Sequence, residues 1–600
     1  MRTAYIATVA LFAGVITIFA ANSAPDAPAS VRPADIPTAI KNDAQLRAMT
    51  DELARAATLR LNDLDRPYFV QYSVSDAEQL LVNASLGGII VSNQLHVRQP
   101  RTFVRVGNYD FDNTNAVFSG IPNLGLFPID NNYRVMRTEL WLQTDMLYKA
   151  ATDEIARKRN ILHEIADADK TPDLAPAKAV KIVQSVEKIQ LPQKDWEGLA
   201  SRLSQRFLAY PDVVTSNVRL SAIASTFRVA NTEGTVLRFP EDLADVQIRT
   251  TAVAPDGGRI WNHRLIAVLQ PQELPNEENL RAAVDTVARE TEELTKAPIA
   301  DDYSGPVLFE REAAAEMIAQ VMTDALQLSR KPLAPPGGTN APVMLENVWA
   351  SRVGTKVGPD WLTIIDDPRE RWFHGEVLAG QYDVDDEGVV PERLTLVDKG
   401  TLKTFLLSRN PVRNYNASNG HGRLPGPFGS EQAEIGNLFI QAEQSLTEAQ
   451  LKARLLEKVS AGGLKFGLII RRLDFPSTAS REELQSFAQQ LRKNGYSRTL
   501  STPILVYRVY PGGREELVRG LRFKEFSAKD LRDMVGASDQ PYVLNYVTNG
   551  TSFNHVEGAN DVALSSVISP SLLFDNVELA RAESEASVAP VVPPPALTTQ

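Results

Sequence analysis

The sequence predicts a two-domain α+β protein, with a helix and β-meander domain first and a mixed α+β domain after it. Three observations carry this expectation. At 600 residues the chain exceeds what one hydrophobic core usually serves. Stretches with strand character and stretches with helical spacing alternate along most of its length. Between them, Ile299 to Ser304 follows a helix that must stop before Pro298 and precedes a new strand, so it reads as the interdomain link.

Composition narrows the function classes. Hydrophobic residues make up 43% and charged residues 23%, as in ordinary globular proteins. The net charge of −11 is spread along the chain and argues against a nucleic-acid partner, which needs a basic face. With no cysteine, the chain has no disulfides, thiol nucleophile, thiolate zinc site or lipoprotein anchor.

Residues 1–24 have the form of a signal peptide. Arg2 is followed by an uncharged run, Ala4 to Ala21, and then by the small residues Ala21-Asn22-Ser23-Ala24. The run is 18 residues, the lower edge for a spanning helix, so an uncleaved membrane anchor is the other reading. Either way the body is expected to be exported, periplasmic or secreted. Residues 25–43 form a Pro/Ala-rich spacer.

The first domain is expected over 44–298. Leu46, Met49, Leu53 and Ala57 have helical spacing from Asp43 to about Leu61. Strand-like runs follow at Tyr68–Val74, Gly88–Val91 and Arg101–Val106. A long helix is expected over Tyr133–Ile165, within a helical excursion of about 134–205 whose part from Asp167 to Lys194 has loose ends. The meander comes next: Ser225–Ala230, Thr235–Phe239, Val246–Val253 and Arg259–Leu269, with turns at Asn231–Gly234 and Pro255–Gly258. Asn276 caps a helix whose Leu280, Val284, Val287 and Leu294 form one stripe.

The second domain is expected over 303–581. A helix is read from Leu308 to about Leu328, strands at Trp361–Ile365, Arg393–Val397 and Thr401–Ser408, and a helix at Thr447–Val459. Residues 582–600 are Pro/Val/Ala-rich and are expected to be disordered.

Most chemical motifs fail on spacing. Ser185–Lys188 matches SxxK, but the Ser-Asp-Asn and Lys-Thr-Gly that should accompany it are missing. His163-Glu164 opens like a zinc-protease motif, yet Asp167 stands where the second histidine belongs, which leaves a solvated helix end. Asp383–Gly388 opens like a calcium loop, but Leu394 replaces the bidentate glutamate, which leaves an acidic turn. On the helix after the linker, Ala314, Ile318, Val321, Ala325 and Leu328 share one side. Glu312 and Glu316 lie opposite, one turn apart, facing either solvent or a cavity.

Around this helix the sequence resembles the TldD/PmbA (modulator of DNA gyrase) peptidase family. Asn231-Thr232-Glu233-Gly234-Thr235 is similar to that family's N-terminal strand turn, and Tyr303–Leu308 to the strand before its metal helix. Val353–Gly358 with Asp366-Asp367-Pro368, Asp383–Gly388, Lys399–Lys403 and Ser418–Arg423 resemble its further elements in the same order. Arg519-Gly520-Leu521 and Pro570–Leu573 resemble its C-terminal strands.

The resemblance implies a two-domain α+β fold whose dimers enclose a proteolytic chamber, with zinc held in metal-bearing members by HExxxH and a C-terminal cysteine. In that register this chain has Arg311, Glu312 and Glu316, so the base position is retained and both ligand positions are degenerate. Arg311 would put a cation where zinc should sit. The cysteine region falls on Asn554-His555-Val556. Asp383, Asp385, Asp386, Glu387, His421, Arg423 and His555 become candidates to line the chamber.

No bound cofactor is expected, and the resemblance implies a homodimer, or a heterodimer with a metal-bearing paralogue. Such a chain would handle extended or unfolded peptides. A peptidase with a relocated or metal-independent site (Glu312, Glu316, Asp383, Asp385, His421 or His555) and an envelope-assembly protein are the alternatives.

Overall fold

A computed structural model describes residues 35–582 apart from 61–63, 120–126, 166–169, 187–188, 329, 337–346, 426–430, 476–499 and 549–562. The signal segment, Asp167, Lys188, His555 and the tail from 583 lie outside the described residues.

The N-terminal half runs α1 (Ile36–Asn42), α2 (Ala44–Ala56), β1 (Pro67–Ser85), β2 (Gly88–Val106), α3 (Tyr133–Glu164), β3 (Lys181–Val183), α4 (Gln193–Gln205), β4 (Val213–Asn231), β5 (Val236–Pro240), β6 (Leu243–Val253), β7 (Arg259–Val268) and α5 (Glu277–Lys296). Its single sheet has the order β2-β1-β4-β5-β3, with β6 on β4 and β7 on β6. The long β4 is shared: Thr226–Ala230 pair with β5, and Val213–Ile223 with β6.

The cap read from sequence at Asn276 is in place, and Asp43 caps α2 in the same way. Asp43 Oδ1 accepts from the Gln45 and Leu46 amides at 3.1 Å, and Asn276 Oδ1 accepts from the Asn279 amide at 2.9 Å. Leu280, Val284, Val287 and Leu294 of α5 are buried as their stripe requires.

Several expectations are corrected. The spacer contains α1, which begins at Ile36 with Pro37 in its first turn. The three short runs between 68 and 106 are parts of two 19-residue strands joined at Leu86-Gly87. Cross-strand pairing carries Asn83, Ser92 and Gln94 through positions where the apolar pattern lapses. The helical excursion is two helices, α3 and α4, separated by an extended stretch with β3 inside it. That stretch is held by side-chain bonds instead of a helical ladder: Asp173 accepts from Lys158 Nζ at 2.6 Å and from the Asp112 amide at 2.8 Å.

The C-terminal half runs β8 (Tyr303–Phe309), α6 (Glu312–Leu326), β9 (Leu362–Asp366), β10 (Trp372–Phe373), β11 (Glu376–Val377), β12 (Leu394–Asp398), β13 (Thr401–Leu402), β14 (Gly422–Pro425), β15 (Glu431–Ala433), β16 (Asn437–Ala442), α7 (Glu448–Ala461), β17 (Gly467–Leu473), β18 (Pro503–Val509), β19 (Glu515–Val518), β20 (Leu521–Phe523), β21 (Met534–Ala537), β22 (Tyr542–Thr548), β23 (Ala563–Ser569) and β24 (Leu572–Arg581). Two mixed sheets result, β13-β12-β9-β16-β23-β22 and β19-β18-β17-β8-β24-β20, with β21 also on β24.

Between these sheets runs α6, packed on β17 of one and on β22 and β23 of the other. This corrects two expectations. The apolar run at Val307–Phe309 is strand, so the helix begins at Glu312 instead of Leu308. The helix is buried on nearly every side, which the alanines at 313–315 and 319 allow by permitting close approach. The strand expected over Thr401–Ser408 ends at Leu402.

The two halves meet closely at the acidic turn. Gly388 has φ +82°, and a Cβ there would lie 2.9 Å from Thr235 Cγ2, so the approach requires glycine. No helix among the described residues is long and apolar enough to cross a membrane.

Candidate functional site

Two groups of buried charge lie where the halves touch. The first is built on α6. Arg311 precedes the helix with φ 42°, and its amide donates to Ser571 Oγ at 2.9 Å. Its side chain is exposed, with the guanidinium 5.8 Å from the centre of the Tyr542 ring.

The cation that pairs with the helix carboxylate Glu312 is Arg472. Pairing of β17 with β18 slips on both sides of Arg472. Such a bulge re-aims side chains. Arg471 Nε donates to Glu310 at 2.6 Å, and Arg472 NH2 donates to Glu312 Oε2 at 3.1 Å. Arg472 NH1 reaches into the other half, donating to Glu290 Oε2 of α5 at 2.5 Å and Asn262 Oδ1 of β7 at 3.0 Å.

Glu316 is buried, not solvent-facing, and its Oε2 accepts from the Leu473 amide at 2.7 Å. Burial, then the neighbouring Glu312 charge, push its carboxyl well above the usual range. His263 of β7 closes the group, with Nε2 3.0 Å from the Leu473 carbonyl oxygen and 3.3 Å from the Phe475 amide nitrogen. Burial, then the Arg472 charge, lower it to about 3, which keeps the imidazole neutral.

The second group surrounds the acidic turn. Asp385 is fully buried; Oδ1 accepts from the Glu387 and Val389 amides at 3.1 and 2.7 Å, and Oδ2 from the Gly422 amide at 3.0 Å. Glu387 Oε2 accepts from the Arg409 amide at 2.5 Å. Asp386 lies 3.6 Å from Arg423 Nε, and the Arg423 guanidinium stacks 4.2 Å from the Tyr382 ring centre. Across the seam stand Glu241 and Arg101 of the N-terminal half and Glu431 of β15. These three and Asp386, with Gln71, Ser73, Phe103 and Phe227, line a small enclosed cavity. Asp383 stays exposed and accepts from Gln184 at 2.8 Å. Fully buried, His421 sits apart, between Asp366 Oδ1 at 3.1 Å and Asn419 Oδ1 at 3.0 Å. The structure thus gathers Asp385, Asp386, Glu387 and Arg423, and leaves Asp383 and His421 at the margin.

Burial is the main cause that raises the carboxyls here: Asp386 to about 6, Glu387 to about 7 and Glu241 to about 8, with Asp385 and Glu431 well above the usual range. A carboxyl raised by folding binds more protons folded than unfolded. Its stabilising contribution is complete below the unfolded value near 4.5 and is lost as pH rises through 6 to 8. The melting temperature is therefore expected to fall by several degrees from pH 5 to pH 8.5. Circular-dichroism melts of the wild type and of Glu241→Gln/Asp386→Asn check this, and the variant should show the flatter profile.

Fold and sites define a class: a two-domain α+β protein whose central helix, buried between two sheets, carries a carboxylate pair close to the contact between the domains. Residues 303–462 match the family model of the PmbA/TldA metallopeptidase C-terminal domain. Over 106 residues the chain is 32% identical to a metalloprotease of Methanocaldococcus jannaschii; the match covers 17% of this chain and 22% of that protein. Three solved structures share the fold. A protein described as a modulator of DNA gyrase from Thermotoga maritima has a TM-score of 0.56 at 14% identity, over 89% of this chain and 99% of that one. TldE from Thermococcus kodakarensis has a TM-score of 0.52 at 11% identity, over 89% and 100%. A protein described as a modulator of DNA gyrase from Bacteroides thetaiotaomicron gives 0.52 at 12%, over 90% and 98%. Residues 303–462 are thus similar to the C-terminal domain of the TldD/PmbA family, and the chain shares the fold of the three solved structures.

Zinc, which the family resemblance implies, does not fit the residues present on α6. A zinc ligand needs a free lone pair. Arg311 has none, Glu316 is turned to the Leu473 amide, and Glu312 faces a fixed guanidinium that repels a dication. Among the described residues no group of three His, Asp or Glu side chains has a metal-holding arrangement.

Arg472, Glu290, Asn262 and His263 escaped the sequence reading, as did Glu241 and Glu431. One signal was present: the doublet Arg471-Arg472 interrupts the apolar run Gly467–Phe475, and a charge inside a buried strand needs a partner.

Proposed function

We propose that this chain is an exported, metal-free member of the TldD/PmbA family, acting as a non-catalytic subunit. It binds extended or unfolded peptides, or completes a proteolytic chamber beside a metal-bearing partner, as a homodimer or a heterodimer. The engagement of both α6 carboxylates supports this reading above all. Glu312 is committed to Arg472 and Glu316 to the Leu473 amide, so the retained glutamate is not poised to take a proton from an attacking water.

The test uses the chain without residues 1–24 and a fluorescein-labelled unfolded casein. Anisotropy should report binding, and no cleavage should follow with or without EDTA. Cleavage should appear only when a metal-bearing paralogue is added. Cleavage by the chain alone that EDTA abolishes would sink the proposal.

A further inference from the structure

We propose that Arg472 is a permanent, protein-supplied cation at the α6 carboxylates, and that this one charge also pins the two halves of the chain together. It rests on the metal-free part of the proposed function and does not require peptide binding.

The argument begins with charge. Glu312, Glu316 and Glu290 converge from α6 and α5, and three carboxylates brought together inside a protein need a cation or a proton. The Arg472 side chain is only 4% exposed and spans Glu290 and Glu312 at 2.5 and 3.1 Å. Glu316 is held differently, its Oε2 accepting from the Leu473 amide at 2.7 Å. A planar guanidinium suits this place better than a point charge, because NH1 serves Glu290 and Asn262 while NH2 serves Glu312.

The second part is position. Glu312 belongs to the C-terminal half, and Glu290 and Asn262 to the N-terminal half. The bulge at Arg472 places its head between them. Asn262 Nδ2 in turn donates to Glu290 Oε2 at 3.0 Å and to the Val287 carbonyl at 3.3 Å, which fixes the far end of the pin on α5. His263 stays neutral beneath, so it adds no competing charge.

The test compares wild type, Arg472→Met and Arg472→Lys, each without residues 1–24, by melting with and without 1 mM ZnCl2 or MnCl2 and by metal content after desalting. The wild type should melt at the same temperature with either ion and carry no stoichiometric metal. Arg472→Met should melt about 5 °C or more lower. It should recover part of that loss with Zn2+ or Mn2+ while binding close to one ion per chain. Arg472→Lys, which keeps the charge, should be destabilised less and should not respond to the ions, and it carries the test if the Met variant fails to fold. One zinc per wild-type chain, an unshifted Arg472→Met melt, a destabilised Arg472→Met that ignores both ions, or an ion-responsive Arg472→Lys would each overturn the proposal.

Discussion

Replacing Asp173 by alanine is expected to cost the folded chain about 3–5 kcal/mol, because it strands charges that cannot reach water. Asp173 is buried, on the stretch after α3. Its carboxylate accepts from Lys158 Nζ at 2.6 Å and the Asp112 amide at 2.8 Å, and it pairs with Arg330 NH1 of the C-terminal half at 3.0 Å. Lys158 would keep the Asp112 and Thr114 carbonyls but lose its charged partner in a place with almost no solvent. Urea unfolding should show the loss in the midpoint. Asp173→Asn, which keeps one acceptor, should lose less. A change under about 1 kcal/mol for alanine would mean that the network relaxes around the gap.

Comparable in size is the loss expected for Arg409→Met, about 3 kcal/mol or more, with the damage falling on the contact between halves. Arg409 is 1% exposed. It grips Glu233 of the N-terminal half bidentately at 2.7 and 2.8 Å, donates from Nε to the Ala175 carbonyl at 2.8 Å and lies 5.2 Å from the Phe69 ring centre. Bidentate pairs of this kind are stronger than single hydrogen bonds. Removing the guanidinium leaves Glu233, among the described residues, with the Tyr109 hydroxyl. Glu233→Gln combined with Arg409→Met should cost less than the sum of the two single changes, the mark of a direct coupling. A protease added in small amount should cut near residues 297–302 faster in Arg409→Met than in wild type.

Where a segment's burial repeats with its own period, the sequence sufficed. The α5 stripe is an example, since Leu280, Val284 and Val287 recur every three or four residues and face one core, while Leu294, two turns on, is buried in a neighbouring one. The cap at Asn276 was legible because a cap is a local bond, made within three residues. The carboxylate pair on α6 was placed on the right helix face, but its surroundings were not. Periodicity shows that Glu312 and Glu316 lie away from the apolar stripe; it does not show that a second sheet and Arg472, 160 residues on, cover that side. The stretch around Asp173 misled for a related reason. Its Lys, Asp and Ala content favours helix locally, while its real partners include Asp112, 61 residues before it. The acidic turn was visible as a motif, but its burial depends on Gly388 meeting Thr235 across the seam.

The order of strands in the second C-terminal sheet bears on how the chain comes to fold. β8 opens this half and β24 nearly ends it, yet they are neighbours in the middle of the sheet, and the Ser304 hydroxyl meets Asn576 across 272 residues of sequence. Closing so long a loop is slow, and its entropy must be spent before the contacts it brings are gained. Until β24 arrives, β8 has β17 on one side only, and Val307, Leu308 and Phe309 lack the cover of Leu572, Leu573 and Phe574. The sheet that carries β8 is therefore expected to become cooperative only after β24 has been made.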